Sequence, residues 1–241
     1  MTTNHGRLHQ LGLHHGTDKA TYHGYLDFYE THLPAAVGRL LEIGIMDGAS
    51  LKMWHDYYPD ATIVGVDNDE QRGRRNIPGV RTVWLDATDP SEVELLTARL
   101  GPFDVIIDDG SHMTADQQRS FELLWPAITP GGSYVIEDLH TSHMSNYVNS
   151  RQTTIEWLND MAAQVDGGHN VAISTIIGFW KNQGDPAGFV ARHGFPTGRD
   201  LWIGPERAES ITAIIVKAPA VDRNLADHFA ADMVTDDDEV D

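Results

Sequence analysis

The chain has 241 residues, no cysteine and a formal net charge of −19 at pH 7. This composition excludes disulfide bonds and thiolate metal sites, and the negative charge argues against nucleic acids and anionic membranes as partners. The length suits one large α/β domain, and neither an apolar leader nor a membrane-spanning stretch is evident, so we expect a cytoplasmic protein.

Short apolar segments alternate with helix-like segments along the first two thirds of the chain. Residues 1–24 are polar and rich in histidine and glycine, which predicts an irregular arm. The predicted strands cover residues 39–45, 61–67, 80–88, 103–110 and 131–140, and the predicted helices cover residues 25–37, 49–58, 89–100, 114–125 and 153–165. We expect Asp89 to be the N-cap of a helix with Pro90 at its first position and Glu92 at its third. We expect Thr114 to be the N-cap of the next helix.

This alternation predicts right-handed β-α-β crossovers and an α/β, Rossmann-like doubly wound fold with a mainly parallel sheet. Residues 170–180 and 210–218 are β-rich and suggest antiparallel strands at the edge of that sheet. The domain is expected to span residues 25–220. A glycine- and proline-rich segment over residues 181–200 predicts a loop, and the acidic residues 221–241 predict a solvated, disordered tail.

The turn after the first predicted strand has the pattern E-x-G-x-x-x-G. Gly44 and Gly48 let the backbone approach a ligand closely. Asp67 ends the second strand, where a carboxylate can accept both hydroxyls of a ribose, and Asp86 ends the third, within reach of an adenine edge. Because Glu42 would repel a pyrophosphate, S-adenosylmethionine, with its ammonium and sulfonium, fits this turn better than NAD. A generic nucleotide site or a structural turn is the alternative.

Two acidic pairs follow the fourth and fifth predicted strands. Neighbouring parallel strands would bring Asp108, Asp109, Glu137 and Asp138 into one cleft, where their repulsion calls for a cation. Oxygen ligands without cysteine favour Mg²⁺ over zinc, with Mn²⁺ or Ca²⁺ conceivable. With the imidazole of His112, these side chains suggest a reaction centre. Structural alternatives stay open: a loop-orienting Asp108, an Asx turn at Asp109, a solvated strand end and a capping His112.

Four segments resemble the class I S-adenosylmethionine-dependent methyltransferases, namely LLEIGIMDGAS, IVGVD, VIIDDGSHMTADQQRSF and YVIEDLHTS. With HGTDKATYHGYLDFYETHL, the chain is similar to the metal-dependent sugar O-methyltransferases of antibiotic biosynthesis, the macrocin/mycinamicin group. The resemblance implies that Asp109 is a metal ligand and His112 the general base, with Glu137 and Asp138 completing the metal set. It also implies that the arm over residues 1–24 folds over the cofactor site, although a mobile N-terminus is the plain alternative.

The expected cofactor contacts combine the strand-end residues with residues of the arm and of the helix after it. They are Thr17, Lys19, Tyr25, Glu42, Gly44, Asp47, Gly48, Asp67, Asn68, Asp86 and Asp108. For Tyr25, a wall of the cofactor site and simple packing in the core are equal alternatives, because helical spacing alone does not separate them.

The resemblance therefore implies an S-adenosylmethionine- and Mg²⁺-dependent O-methyltransferase that acts on a sugar hydroxyl of a natural product or a nucleotide sugar. A vicinal diol would chelate the metal, and His112 would take the proton. The alternatives are methylation of a polyketide or catechol-like diol and a non-catalytic S-adenosylmethionine-binding subunit. The expected partners are a small sugar or glycosylated acceptor and further copies of the chain in a homo-oligomer, with neither nucleic acid nor membrane.

Overall fold

The computed structural model describes residues 5–181, 201–204 and 210–220, with the backbone alone for residues 201–204. The predicted loop over residues 181–200, apart from Lys181, and the predicted acidic tail 221–241 lie outside these ranges. Within the described ranges, no helix is long and apolar enough to cross a lipid bilayer.

One eight-stranded sheet forms the centre of the described fold. The strands are β1 (Arg39–Ile43), β2 (Thr62–Asp67), β3 (Val80–Trp84), β4 (Phe103–Asp108), β5 (Ile128–Ile136), β6 (Ile173–Lys181), β7 (Leu201–Gly204) and β8 (Ser210–Lys217). Their order is β3-β2-β1-β4-β5-β8-β6-β7, so β4 and β5 are neighbours, as predicted. Strands β1 to β5 pair in parallel, and β8 runs antiparallel to both β5 and β6. The predicted fold class is therefore confirmed.

Helices cover both faces of the sheet. They are α1 (Arg7–His15), α2 (Asp18–Thr21), α3 (Leu26–His32), α4 (Ala49–Tyr57), α5 (Glu70–Gly73), α6 (Pro90–Leu100), α7 (Thr114–Leu124) and α8 (Thr154–Asp166), with short 3-10 helices at Trp125–Ala127 and Leu139–His143. The core on one face includes Leu96, Phe121 and Leu158, and the core on the other includes Phe28 and Trp54. Because both faces are covered, the strand-end turns are left to carry the polar groups of a site.

The predicted irregular arm is wrong for residues 7–15 and 18–21, which form α1 and α2. Leu8 of α1 is fully buried, and Gly12 packs so tightly that an added Cβ would lie 2.3 Å from a methyl carbon of Leu26. The apolar residues that pack this helix against α3 and α4 are few, and the many histidines between them obscure the helical pattern in the sequence. Thr17 then caps α2 through its side chain.

The two predicted helix caps differ in outcome. Asp89 caps α6 as expected, since its carboxylate accepts the backbone N–H groups of Ser91 and Glu92. Thr114 is the first residue of α7 and its N-cap is Met113, so that prediction was wrong by one residue. The hydroxyl of Thr114 pairs with Asn149 instead, which attaches the start of α7 to the segment before α8.

Candidate active site

Backbone strain is concentrated at the carboxyl ends of three adjacent strands. Met46 follows β1, His112 follows β4 and Asp138 follows β5, and these are the non-glycine residues of the described chain with positive φ, at 47°, 58° and 54°. Each such conformation costs about 1 kcal/mol or more for an L-residue. Strained backbone conformations are held in place by the surrounding structure and are found mostly at functional sites. This edge of the sheet is therefore the candidate site.

A cavity of about 520 Å³ lies at this edge. The predicted site residues on its wall are Thr17, Gly44, Asp47, Asp67, Asn68, Asp86, Asp108, Asp109, His112 and Asp138. Gly16 and Asp18 also line it, so the segment between α1 and α2 borders the cavity. Ile45, Arg72 and Leu85 also line the cavity, but apolar and arginine side chains near a strand end carry no distinctive signal in a sequence.

Gly44 brings the end of β1 against the turn after β4. Its φ is +94°, and a Cβ there would lie 2.1 Å from the carbonyl oxygen of Asp109. Gly48 has a different role, because it caps α4 with a φ of +79° and packs against Ile77 without lining the cavity. The two glycines of the motif therefore shape the turn, and Gly44 also forms part of the wall.

The two predicted nucleoside carboxylates are held by hydrogen bonds from the turns around them. The oxygens of Asp67 accept the backbone N–H groups of Ile45 and Asp69, each at 2.9 Å. Asp86 accepts both the backbone N–H and the hydroxyl of Thr88, at 2.8 and 2.7 Å. These bonds fix the carboxylates at the cavity wall before any ligand arrives.

Lys19 lies inside a ring of three carboxylates. Its side chain is 1% exposed, and its Nζ is 2.5 Å from Asp109, 2.7 Å from Glu137 and 3.4 Å from Glu42. Burial alone would lower the pKa of Lys19, but the three carboxylates outweigh it and hold the pKa well above its ordinary value. The ammonium thus stays charged and ties α2 to the ends of β1, β4 and β5.

One ammonium cannot balance three carboxylates, and burial favours the protonated form of two of them, Glu42 and Glu137. Burial raises the pKa of Glu42 to about 7, against the opposing effects of Lys19 and of the hydrogen bond from Ser50. Burial also raises the pKa of Glu137 well above its ordinary value, against the opposing effect of Lys19, so Glu42 and Glu137 are the two carboxyls of the ring that can hold a proton near neutral pH. The predicted cofactor contacts Lys19 and Glu42 consequently lie behind the cavity wall, and so does Tyr25, which is fully buried.

Asp108 is a support for the turn that carries the reaction centre. Its buried carboxylate accepts the hydroxyls of Ser120 and Tyr134 and the backbone N–H of Gly110. Burial raises its pKa to about 6. These contacts match the loop-orienting alternative for Asp108, although the residue also borders the cavity.

Asp109, His112 and Asp138 meet at one end of the cavity. One potential ligand atom from each lies within 4.8 Å of the other two, and Nε2 of His112 is 3.6 Å from Asp138. The Nδ1 atom of His112 is buried and has no hydrogen-bond partner among the described residues. Burial alone would raise the pKa of Asp138, but His23, His112 and His140 outweigh it and hold the pKa below its usual value.

Glu137 points away from this group, unlike the other predicted metal ligands. Its carboxylate accepts hydrogen bonds from Lys19 and from the hydroxyl of Tyr29, the latter at 2.9 Å. Tyr25 similarly donates to Asp138 at 2.9 Å. The i, i+4 spacing of the two tyrosines was visible in the sequence, but their acidic partners follow more than 100 residues later and no local signal connects them.

Comparisons with known proteins find methyltransferases among the proteins similar to this chain. A family described as a methyltransferase domain matches residues 41–139. An 8-demethyl-8-alpha-L-rhamnosyl tetracenomycin-C 2'-O-methyltransferase of Streptomyces olivaceus is 36% identical over 70% of this chain and 47% of its own. A mycinamicin VI 2''-O-methyltransferase of Micromonospora griseorubida is 37% identical over 45% of this chain and 29% of its own. The chain thus spans less than half of the length of these curated relatives.

A solved methyltransferase from the mycinamycin biosynthetic pathway, in complex with Mg, SAH and mycinamycin VI, has a similar fold. Its TM-score is 0.65 at 25% sequence identity, over 90% of this chain and 56% of that one. A second structure of that methyltransferase, with Mg and SAH, has a TM-score of 0.66 at 24% identity. The similarity extends over about nine tenths of this chain and concerns its fold.

Replacing Gly44 by alanine tests the close approach of β1 to the turn after β4. The added Cβ overlaps backbone rather than a flexible side chain, so we expect the free energy of unfolding to fall by about 3 kcal/mol. Binding of S-adenosylhomocysteine, measured by calorimetry, should weaken as well. Gly131→Ala is the matched control, since φ is +80° there and nothing lies within 4 Å of the added atom. Equal losses for both variants would contradict the role of Gly44.

Replacing Glu42 by glutamine should give a pH-dependent change in stability in metal-free protein. The folded pKa of about 7 exceeds the ordinary value of 4.5, so the folded chain keeps a proton that the unfolded chain releases. Wild type therefore loses stability as the pH rises from 5 to 8, whereas glutamine cannot ionise. From pH 5 to pH 8, the free energy of unfolding of the variant, measured with urea, should rise on the order of 2 kcal/mol relative to that of wild type.

The exposed Glu94→Gln is the control for Glu42→Gln and should show no such pH-dependent gain. A difference between Glu42→Gln and wild type that stays constant from pH 5 to pH 8 would contradict the raised pKa.

Proposed function

We propose that the chain, whose residues 41–139 match a family described as a methyltransferase domain, is an S-adenosylmethionine-dependent O-methyltransferase. It would use a divalent cation and methylate a sugar hydroxyl in antibiotic biosynthesis. The observation that carries the proposal is the meeting of Asp109, His112 and Asp138 at one end of a cavity. The names of the relatives, which are sugar O-methyltransferases, support the sugar as acceptor.

The cofactor contacts follow from the cavity wall. Asp67, already fixed by two backbone N–H groups, would accept the ribose hydroxyls, and Asp86 would face the adenine edge. Gly44 and the segment around Thr17 would border the amino-acid part of the cofactor. S-adenosylmethionine itself supplies the methyl group and a sulfonium, whose positive charge suits a wall this rich in carboxylates.

A divalent cation fits the residues at the end of the cavity. Asp109 and Asp138 offer carboxylate oxygens, the ring of His112 lies beside them, and all three residues line the cavity rather than the core. A hard cation such as Mg²⁺ would leave several positions for an acceptor and water. Bound there, it supplies a positive field that favours loss of a proton from a neighbouring hydroxyl. Glu137 would join this set only by turning from Lys19.

His112 is the proposed general base. Its strained backbone presents the ring at the cavity wall, and Nδ1 has no hydrogen-bond partner among the described residues, so a ring nitrogen is available to take a proton. Asp138, kept ionised by the surrounding histidines, would stabilise the resulting imidazolium. The homo-oligomer and the cytoplasmic location that the sequence suggested stay predictions.

A methyl-transfer assay tests the proposal. With labelled S-adenosylmethionine and Mg²⁺, we expect transfer to a deoxysugar glycoside, loss of transfer after EDTA, and recovery on adding Mg²⁺. Transfer to a catechol alone would select the non-sugar acceptor, and cofactor binding without transfer to any sugar, catechol or nucleotide sugar would favour a non-catalytic subunit. Undiminished transfer after thorough chelation would overturn the metal.

Replacing His112 by asparagine tests the base, because asparagine tolerates the left-handed conformation found there. Turnover should fall by about 10²–10⁴-fold, the usual contribution of general base catalysis. The affinity for S-adenosylhomocysteine should stay close to that of wild type. His169→Asn, at an exposed histidine of a distant turn, should leave turnover unchanged. Normal turnover in His112→Asn would rule out this residue as the base.

A further inference from the structure

A second group of potential metal ligands lies on the N-terminal segment, away from the cavity. His5 precedes α1, His9 belongs to α1, and Asp27 is in the first turn of α3. One ring nitrogen from each histidine and one carboxylate oxygen lie within 4.8 Å of one another. None of these three residues borders the cavity described above.

The three side chains are already arranged around a common point. Nδ1 of His5 is 2.6 Å from a carboxylate oxygen of Asp27. The rings of His5 and His9 are stacked, with centroids 3.8 Å apart and planes 10° from parallel. His5 lies just before Gly6, the N-cap of α1, so the helix presents His9 and the segment before it presents His5 to the same carboxylate.

His9 is the member that packing explains least. It is 8% exposed, and its Nδ1 atom is buried without a hydrogen-bond partner among the described residues. Burial and the neighbouring His5 lower its pKa, against the opposing effects of Asp27 and Glu30.

Glu30 adds negative charge beside the group. It sits so close to the chain that a Cβ on Gly6 would lie 1.6 Å from one of its carboxylate oxygens. Its other oxygen is used, since it accepts the backbone N–H of Leu8 and the hydroxyl of Tyr57. Glu30 thus favours a cation electrostatically. The side chains whose potential ligand atoms lie within 4.8 Å of one another are the two histidines and the aspartate.

We propose that His5, His9 and Asp27 bind a borderline transition-metal ion, with Zn²⁺ as the best fit. Two imidazoles and one carboxylate suit tetrahedral Zn²⁺, and water would fill the fourth position. The side chains of His5 and Asp27 are 31% and 30% exposed, which leaves a path for the ion. Small rotations of these partly exposed side chains would bring the donors to bonding distance.

The ion would link α1 directly to α3. Helix α1 leads into Gly16 and Thr17 at the cavity wall and then into Lys19, so the link would stabilise the segment that borders the proposed active site. The simpler alternative is a hydrogen-bonded histidine–aspartate pair that holds the start of α1 without any ion.

Titration of the full chain with Co²⁺ in excess Mg²⁺ tests the proposal. A tetrahedral site of nitrogen and oxygen ligands should give visible absorption, and Zn²⁺ should abolish that absorption and raise the melting temperature. His5→Ala and Asp27→Asn, at partly exposed positions, should each weaken Co²⁺ binding by at least about tenfold, since even residues behind metal ligands contribute that much.

Two controls locate the site. His14→Ala, at an exposed histidine near the other end of α1, and His112→Asn should keep the Co²⁺ absorption unchanged. Melting of each variant without metal checks that it is folded. The proposal is overturned if wild type shows no tetrahedral absorption, or if the absorption persists unchanged in both His5→Ala and Asp27→Asn.

Discussion

The buried ammonium of Lys19 is the interaction on which the described site depends. Carboxylates from three strand ends lie close together, and burying these carboxylates without a cation would be strongly unfavourable. Lys19 reaches Asp109, Glu137 and Glu42 from a short helix near the N-terminus. It therefore joins the N-terminal segment to the sheet and allows the acidic ends of β1, β4 and β5 to lie side by side.

This arrangement divides the acidic residues into two groups with different tasks. Glu42 and Glu137 face the buried ammonium and belong to the framework, whereas Asp138 faces the cavity with His112. Asp109 belongs to both groups, because it contacts Lys19 and also borders the cavity. The proposed site for a divalent cation is consequently built on a scaffold that already holds a fixed positive charge.

Much of the fold and of the cavity wall could be predicted from the sequence, because the signals are local. Apolar runs that end in glycine or aspartate located β1, β2 and β4, and the position of Asp67 at a strand end placed it at the wall. The orientation of Glu137 could not be predicted, since it depends on Lys19, which lies 118 residues earlier in the chain. Helix α1 was missed because its apolar face is only a few residues wide.

The central claim is tested most directly by a double-mutant cycle on Lys19 and Glu137 in metal-free protein at neutral pH. Lys19→Met should lower the free energy of unfolding by about 3–5 kcal/mol, because it leaves buried carboxylates without their cation. Adding Glu137→Gln to Lys19→Met should recover part of this loss, with a coupling energy of at least about 1 kcal/mol. Additive effects of the two substitutions, or a loss for Lys19→Met within about 0.5 kcal/mol of zero, would contradict the account.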